Sequence, residues 1–233
     1  MKRLMTRIDD LCFEGDHCKS PKFNRGNRQG IFAVVGVGPE RYCNTVQTAF
    51  NCYQGDWFQA SEEAHDELDG KSAGNGTLMR CLPVALAYLD PQKIDGISAL
   101  QSKMTHYDDL ASEACVIYNR IASRLMNGEA LEPAIQVEIN HTRYASSGVQ
   151  QPECLPDGYD VHTMEWVFYW LLFSHSFEEV VTGAANMGND SDTIAAIAGG
   201  LKGIEIGFRQ IPYRFTDKIV IKGRPPCLCK TPV

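Results

Sequence analysis

The sequence predicts an all-α fold, and three observations lead there. From Asn44 onward apolar residues recur at helical spacing in one segment after another. Hardly any stretch alternates with period two. Glycines and an Asp-Pro pair punctuate the segments where helices are expected to stop.

The elements follow in order. Val46, Phe50 and Tyr53 repeat at three and four and end at Gly55. "DWFQASEEAHDELDG" comes next, then a Gly-rich turn, "SAGNG", and an apolar helix expected from Leu78 to Leu89, halted by Asp90-Pro91. In "DDLASEACVIYNRIASRLMNG" the residues Ala111, Cys115, Ile117, Ile121 and Leu125 form a broad apolar face, and Gly128 is the stop. The chain from Ala130 to Asp160 is less regular, with "HTRYASSGVQQPECLPDGYD" read as a long loop. "HTMEWVFYWLLFS" is apolar nearly all round, as a buried helix is. "SFEEVVTGAANMG" opens with Ser176 and carries Glu179 three positions on, a capping box.

The chain divides into an atypical, irregular segment over 1–43, a helical domain over 44–215 and a peripheral tail over 216–233. The first part is loop-like apart from one strand-like run, Ile31 to Val37. At 233 residues the protein can bury a substantial core, and 44% hydrophobic and 22% charged residues are ordinary for a globular protein. A formal net charge of −7 disfavours nucleic acid and anionic membrane as partners, because both need a basic face. A phosphate-bearing small molecule is still compatible, since backbone N–H groups and a divalent cation can hold phosphate. No window is long and apolar enough for a membrane span, and the N-terminus does not read as a secretory signal. A cytoplasmic protein with reduced thiols is expected. The nine cysteines are scattered and odd in number, which does not make a disulfide framework. A zinc site from Cys12, His17, Cys18, Cys227 and Cys229 is conceivable, but free thiols are the simpler reading.

Chemistry concentrates in "NMGNDSDTIAAIAGGLKGIEIGF". Ala195, Gly199, Gly203 and Gly207 recur every four residues along one helical stripe. Each glycine costs roughly 1 kcal/mol against alanine in a helix, so the stripe is expected to face a closely packed neighbour, with Gly203 crowded by it. At the head of that helix stand Asp190, Ser191, Asp192 and Thr193. Spacing alone favours a helix cap. Yet one cap needs one side chain, and paired carboxylates beside a hydroxyl are also hard-oxygen ligands for Mg²⁺, Mn²⁺ or Ca²⁺. In "SAGNGTLMR", Gly74 and Gly76 bracket Asn75 just before a helix, a weak signal for an anion cradle or a plain turn. His106, in "MTHYDD", has no pattern that sets it apart, and Asp108-Asp109 most simply open the next helix.

Taken in order, "GNGTLMRCLP", "THYDD", "GYDVHTMEWVFYWL" and "GNDSDTIAAIAGGLKGIEIGFRQIP" resemble the ADP-ribosylglycohydrolase family, from about Asn44 to about Pro212. The resemblance implies an all-helical domain with a central metal cleft. It also implies divalent-metal-dependent hydrolysis of the glycosidic bond joining ADP-ribose to a modified acceptor, a protein side chain or a small molecule. By position it makes Asp190, Asp192 and Thr193 metal ligands, with Gly74, Asn75, Gly76 and His106 binding the ADP-ribosylated substrate. The cofactor implied is Mg²⁺ (or Mn²⁺), binuclear in the family.

The family's early Thr-Asp-Asp-Thr, which supplies the other half of the metal site, has no counterpart. Thr6, Asp9 and Asp10 come nearest, broken by Arg7 and Ile8, and no acid stands at Arg41 to Cys43. The N-terminal part is therefore expected to be truncated or altered, as a shifted reading frame would make it, leaving a half-site. The alternative reading is a catalytically inactive member that binds ADP-ribose or a nucleotide, or serves structurally.

Overall fold

The computed structural model describes residues 44–218, and all statements of structure below concern those residues. They form α1 (Asn44–Cys52), α2 (Trp57–Glu67), α3 (Leu78–Ala87), α4 (Pro91–Lys103), α5 (Asp109–Met126), α6 (Leu131–Ile139), α7 (Asp160–Phe173), α8 (Phe177–Ala185) and α9 (Ser191–Ile206). A 3₁₀ turn (Phe208–Gln210) and a short α10 (Tyr213–Thr216) follow. No strand occurs among them; an isolated antiparallel bridge joins Gly74 to Tyr159. The all-α expectation holds. The strand-like run at 31–37, the conceivable zinc residues and Thr6, Asp9 and Asp10 all lie outside the described residues.

Two helices go beyond the sequence reading. Asp90-Pro91 ends one helix, as expected, but it also starts α4. The Asp90 carboxylate accepts a hydrogen bond from the Gln92 N–H at 2.9 Å, and Pro91 occupies the first helical position, where its missing N–H costs nothing. In the stretch read as irregular, Leu131–Ile139 is helical. Pro133 falls in its first turn, where proline is tolerated, and Leu131, Ala134, Ile135 and Ile139 bury one face. The capping box at Ser176 is present in altered form. Ser176 Oγ accepts from the Glu179 N–H at 3.1 Å, while the Glu179 carboxylate takes the N–H of His175 rather than that of Ser176.

The core is organised around α5, which packs against α3, α4, α6, α7 and α9, and around α9, which packs against α3, α5, α7 and α8. Two polar side chains inside this core bond across helices. The Asn119 amide donates to the Cys81 carbonyl and to Ser98 Oγ, tying α5 to α3 and α4. Tyr118, fully buried, donates its hydroxyl to the Ile197 carbonyl at 2.9 Å and so fastens α5 to α9.

That last bond decides which glycine of α9 is structural. A methyl group on Gly200 would lie 2.7 Å from the Tyr118 hydroxyl and 3.2 Å from Leu82. On Gly199 it would lie 3.1 Å from Val181 of α8. At Gly203, the position expected to be crowded, it would meet Ile211 and Phe177 at an ordinary 3.8 Å. Gly207 is not on the packed stripe at all, since it caps the helix with φ +76°. Close approach therefore belongs to Gly199 and Gly200, and the four-residue ladder is only partly a packing device.

Gly200→Ala should destabilise the protein by about 1–3 kcal/mol through overpacking against Tyr118. Gly203→Ala should be neutral or stabilising by up to about 1 kcal/mol, because the methyl fits and alanine favours the helix. Denaturant unfolding of both variants checks the pair, and equal losses would contradict this placement.

Candidate functional site

Asp190 stands at the N-cap position of α9, directly after Gly188 and Asn189, both in the left-handed region (φ +82° and +53°). Its carboxylate makes no capping bond to the helix. Instead Oδ1 accepts from the Thr193 hydroxyl at 2.8 Å and Oδ2 accepts from the Asn75 amide at 2.6 Å. The backbone N–H of Asp190 donates to the Pro156 carbonyl at 3.0 Å, fixing the turn from the other side. Asp192, two residues on, is exposed, while Thr193 is buried. The terminus thus spends its first acid on one local and one long-range side-chain bond rather than on the helix backbone.

Asn75 is the other end of that bond. Its amide nitrogen donates to Asp190 and also to Thr163 Oγ1 of α7 at 2.9 Å, and the residue itself is buried. The loop around it is stitched to the start of α7 by the backbone. The Asn75 N–H donates to the Gly158 carbonyl at 2.9 Å and the Asp160 N–H to the Ala73 carbonyl at 3.0 Å. Behind the loop lies His106, fully buried, with Nδ1 2.8 Å from Thr105 Oγ1. A side chain on Gly74 would come within 3.1 Å of the His106 Nε2, so glycine here allows the ring to sit directly under the turn. Burial, then the nearby Arg80 guanidinium, hold the imidazole pKa down at about 3, so the ring is neutral.

A cleft of about 760 Å³ opens above this loop. Thr45 from the start of α1, Asn75 and Met79 from the start of α3, and Asp108 and Leu110 from the start of α5 line it. Tyr159 at the N-cap of α7 and Asp190 with Thr193 at the start of α9 complete the wall. Five helices therefore turn their N-terminal ends, the positive poles of their dipoles, to one cavity. Of the residues the sequence singled out, Gly74, Asn75, Asp190 and Thr193 line it directly. Asp192 is at its edge by position in α9 but not on the wall. Gly76 points its carbonyl to Arg80 Nη1 at 3.3 Å, and His106 supports the loop from behind.

Asp108, Tyr159, Thr45 and Lys71 were not singled out. Asp108 does open its helix as read, with Oδ1 accepting from the Leu110 N–H at 2.9 Å. Yet it also lines the cleft. The available signal was position, since each of the first three sits at a helix start. In metal-ligand terms, the described residues contain no cluster of three or more His, Cys, Asp or Glu side chains poised around one point. What they offer is Asp190, Asp192 and Thr193, hard oxygen donors from one helix terminus.

Two outcomes are expected. Asn75→Ala removes two buried hydrogen bonds, one to a carboxylate, and should cost about 1–3 kcal/mol in denaturant unfolding. For His106 the folded pKa is below the unfolded value of about 6.5. Above that value the ring is neutral in both states. As pH falls through it, the unfolded chain gains a proton that the folded chain refuses, so stability falls by about 1.4 kcal/mol per pH unit until the folded ring titrates. Relative to His106→Gln, the parent should therefore lose stability between pH 6.5 and pH 4, and parallel pH profiles would show that the ring is not held neutral.

Known proteins resemble this chain in sequence and in fold. A family model described as ADP-ribosylglycohydrolase matches residues 14–224. The ADP-ribosyl-(dinitrogen reductase) glycohydrolase of Rhodospirillum rubrum is 31% identical over 153 residues, 64% of this chain and 52% of that protein. An ADP-ribosylarginine hydrolase of Pseudomonas putida is 28% identical over 174 residues, 70% of this chain and 46% of that one. The chain thus spans about half the length of the curated relatives it matches. A solved structure described as an ADP-ribosylglycohydrolase-related protein complex superposes with a TM-score of 0.62 at 24% identity, over 93% of this chain and 73% of that chain, a likeness of fold. With the family model matched over most of its length and the helical cleft built from the motifs that first carried the resemblance, the chain belongs to the ADP-ribosylglycohydrolase family.

Proposed function

We propose that this protein hydrolyses the glycosidic bond between ADP-ribose and a modified acceptor, with a divalent cation bound at the head of α9. The observation that carries the reading is the convergence of five helix N-termini on the cleft that also holds Asp190 and Thr193. N-terminal ends present unpaired backbone N–H groups and positive dipole ends, which suit a diphosphate without a basic surface. The volume of about 760 Å³ is in the range of clefts that enclose small-molecule ligands.

In this reading the turn at Gly74 and Asn75 holds the diphosphate, and Asp190, Asp192 and Thr193 hold Mg²⁺ or Mn²⁺ at the ribose end. The donors fit such an ion in chemistry and fall short of a full shell in number, so water or substrate would supply the rest. A bound divalent ion polarises an oxygen and lowers the pKa of a coordinated water. The chain's own part is orientation. Asn75 and Thr193 fix the Asp190 carboxylate, and the neutral His106 props the loop without adding charge. The reaction adds the oxygen of water to the anomeric carbon, breaks the bond to the acceptor and returns a proton to the acceptor. No helix among the described residues is long and apolar enough to cross a membrane, and the net charge of −7 disfavours nucleic acid as a partner. The cytoplasm is the proposed location.

A second reading is favoured by one observation, that the described residues hold no complete metal-ligand cluster. It makes the protein a binder of ADP-ribose without catalysis. Asp192→Asn separates the two. Asparagine caps helices about as well as aspartate, and the site is exposed, so stability without metal should change by no more than about 0.5 kcal/mol. If the enzyme reading holds, millimolar Mg²⁺ or Mn²⁺ raises the melting temperature of the parent and not of the variant. The variant also loses release of ADP-ribose from ADP-ribosylarginine, used as a test substrate. A metal-independent melt and no release in the parent, with ADP-ribose still raising its melting temperature, would leave the binder.

A further inference from the structure

We infer that Lys71 is a specificity residue of the cleft, supplying the side-chain cation that recognises the diphosphate of the ligand; this rests on the reading of the cleft as an ADP-ribose site. Among the described residues that line the cleft Lys71 is the sole cation, and it shares the wall with two acids, Asp108 and Asp190. Without Lys71, helix ends and the divalent ion proposed at Asp190 must offset those carboxylates if a dianionic group is to enter, because like charges a few ångströms apart repel by kilocalories at the effective dielectric of a protein surface.

The placement of Lys71 is built into the backbone. After α2 the chain reverses through Asp69 and Gly70, both left-handed at φ +51° and +74°. The Gly70 N–H returns to the His65 carbonyl at 2.9 Å and the Lys71 N–H to the Leu68 carbonyl at 3.0 Å. The next residue, Ser72, is fully buried, its hydroxyl 2.6 Å from His65 Nδ1. Lys71 is thus pinned on both sides at the rim, three positions ahead of Gly74, while its own side chain is exposed.

Its charge is also uncommitted. Neither an ion pair nor a side-chain hydrogen bond engages Lys71 among the described residues, although Asp108 and Asp190 line the same cavity. Arg80, the nearest cation in sequence, is by contrast spent on Gln101, Thr105 and the Gly76 carbonyl. A compact ammonium on a flexible stem suits a phosphate group as a point charge that can follow the ligand in.

The test compares the parent with Lys71→Met and Lys71→Arg by calorimetric titration without divalent cations, using inorganic pyrophosphate, ADP-ribose and adenosine as probes. Loss of one charge-assisted bond predicts about tenfold weaker pyrophosphate and ADP-ribose binding in Lys71→Met. Adenosine binding should be unchanged, and Lys71→Arg should stay within about threefold of the parent on every probe. The parent's pyrophosphate affinity should fall with added salt, and fall less in Lys71→Met. Equal pyrophosphate affinity in parent and Lys71→Met overturns the inference, as does an equal loss of adenosine, which would indicate a disturbed cleft. The two readings fail separately. A parent that binds pyrophosphate through Lys71 but not ADP-ribose keeps the diphosphate role and loses the ADP-ribose site. A parent that binds ADP-ribose as well as Lys71→Met does keeps the site and loses the role of Lys71. A parent that binds neither anion overturns both.

Discussion

The amide of Asn75 is the constraint on which the cleft depends. One nitrogen holds the hydroxyl of Thr163 on α7 and the carboxylate of Asp190 at the head of α9. Because an amide nitrogen carries two hydrogens, both acceptors can be satisfied at once without a positive charge. A lysine or arginine in its place would neutralise Asp190 and fill the cavity. Asparagine fixes the acid and leaves its charge available.

Beneath that clamp burial acts on two titratable groups. His106 is held neutral there by burial and by Arg80. Asp160, at the first position of α7, is fully buried, and neither carboxylate oxygen has a hydrogen-bond partner among the described residues. Burial first, then the neighbouring Cys115 and Asp108, push its pKa well above the usual carboxylate range, with Arg80 opposing. Above them the cleft combines helix N-termini with the ionisable side chains of Lys71, Asp108 and Asp190.

Much of this was legible in the sequence for a physical reason. Helical periodicity and glycine stops are local signals, so most helices could be read directly, and α7 was recognisable because a helix apolar on all sides has to be buried. The resemblance carried by the ordered motifs put Gly74, Asn75, Gly76, His106, Asp190, Asp192 and Thr193 in one site, and of these Gly74, Asn75, Asp190 and Thr193 line the cleft. What could not be read was geometry set by tertiary contact. Asp90-Pro91 looks the same whether it ends a helix or begins one, and it does both. Gly203 and Gly200 are equivalent on propensity, and only the Tyr118 hydroxyl distinguishes them. Asp190 sits where a cap should be, with a side chain that could cap. Its diversion to Asn75 depends on a residue far away along the chain.

That distance has a consequence for how the protein comes into being. The clamp joins positions 115 residues apart, and its second arm joins positions 88 apart. The helices before α9 can form as the chain emerges from the ribosome, but the cavity lacks the wall made by Asp190 and Thr193 until the last long helix arrives. A nascent or prematurely ended chain that stops short of Asp190 still has the glycine turn tied to α7 through Gly158, Asp160 and Thr163, and lacks the arm of the clamp that Asp190 supplies. Non-local closure of this kind is slow and all-or-none compared with local helix formation. The cleft is therefore completed late in synthesis, and a partial product exposes the apolar bed of α9, the kind of surface that chaperones bind.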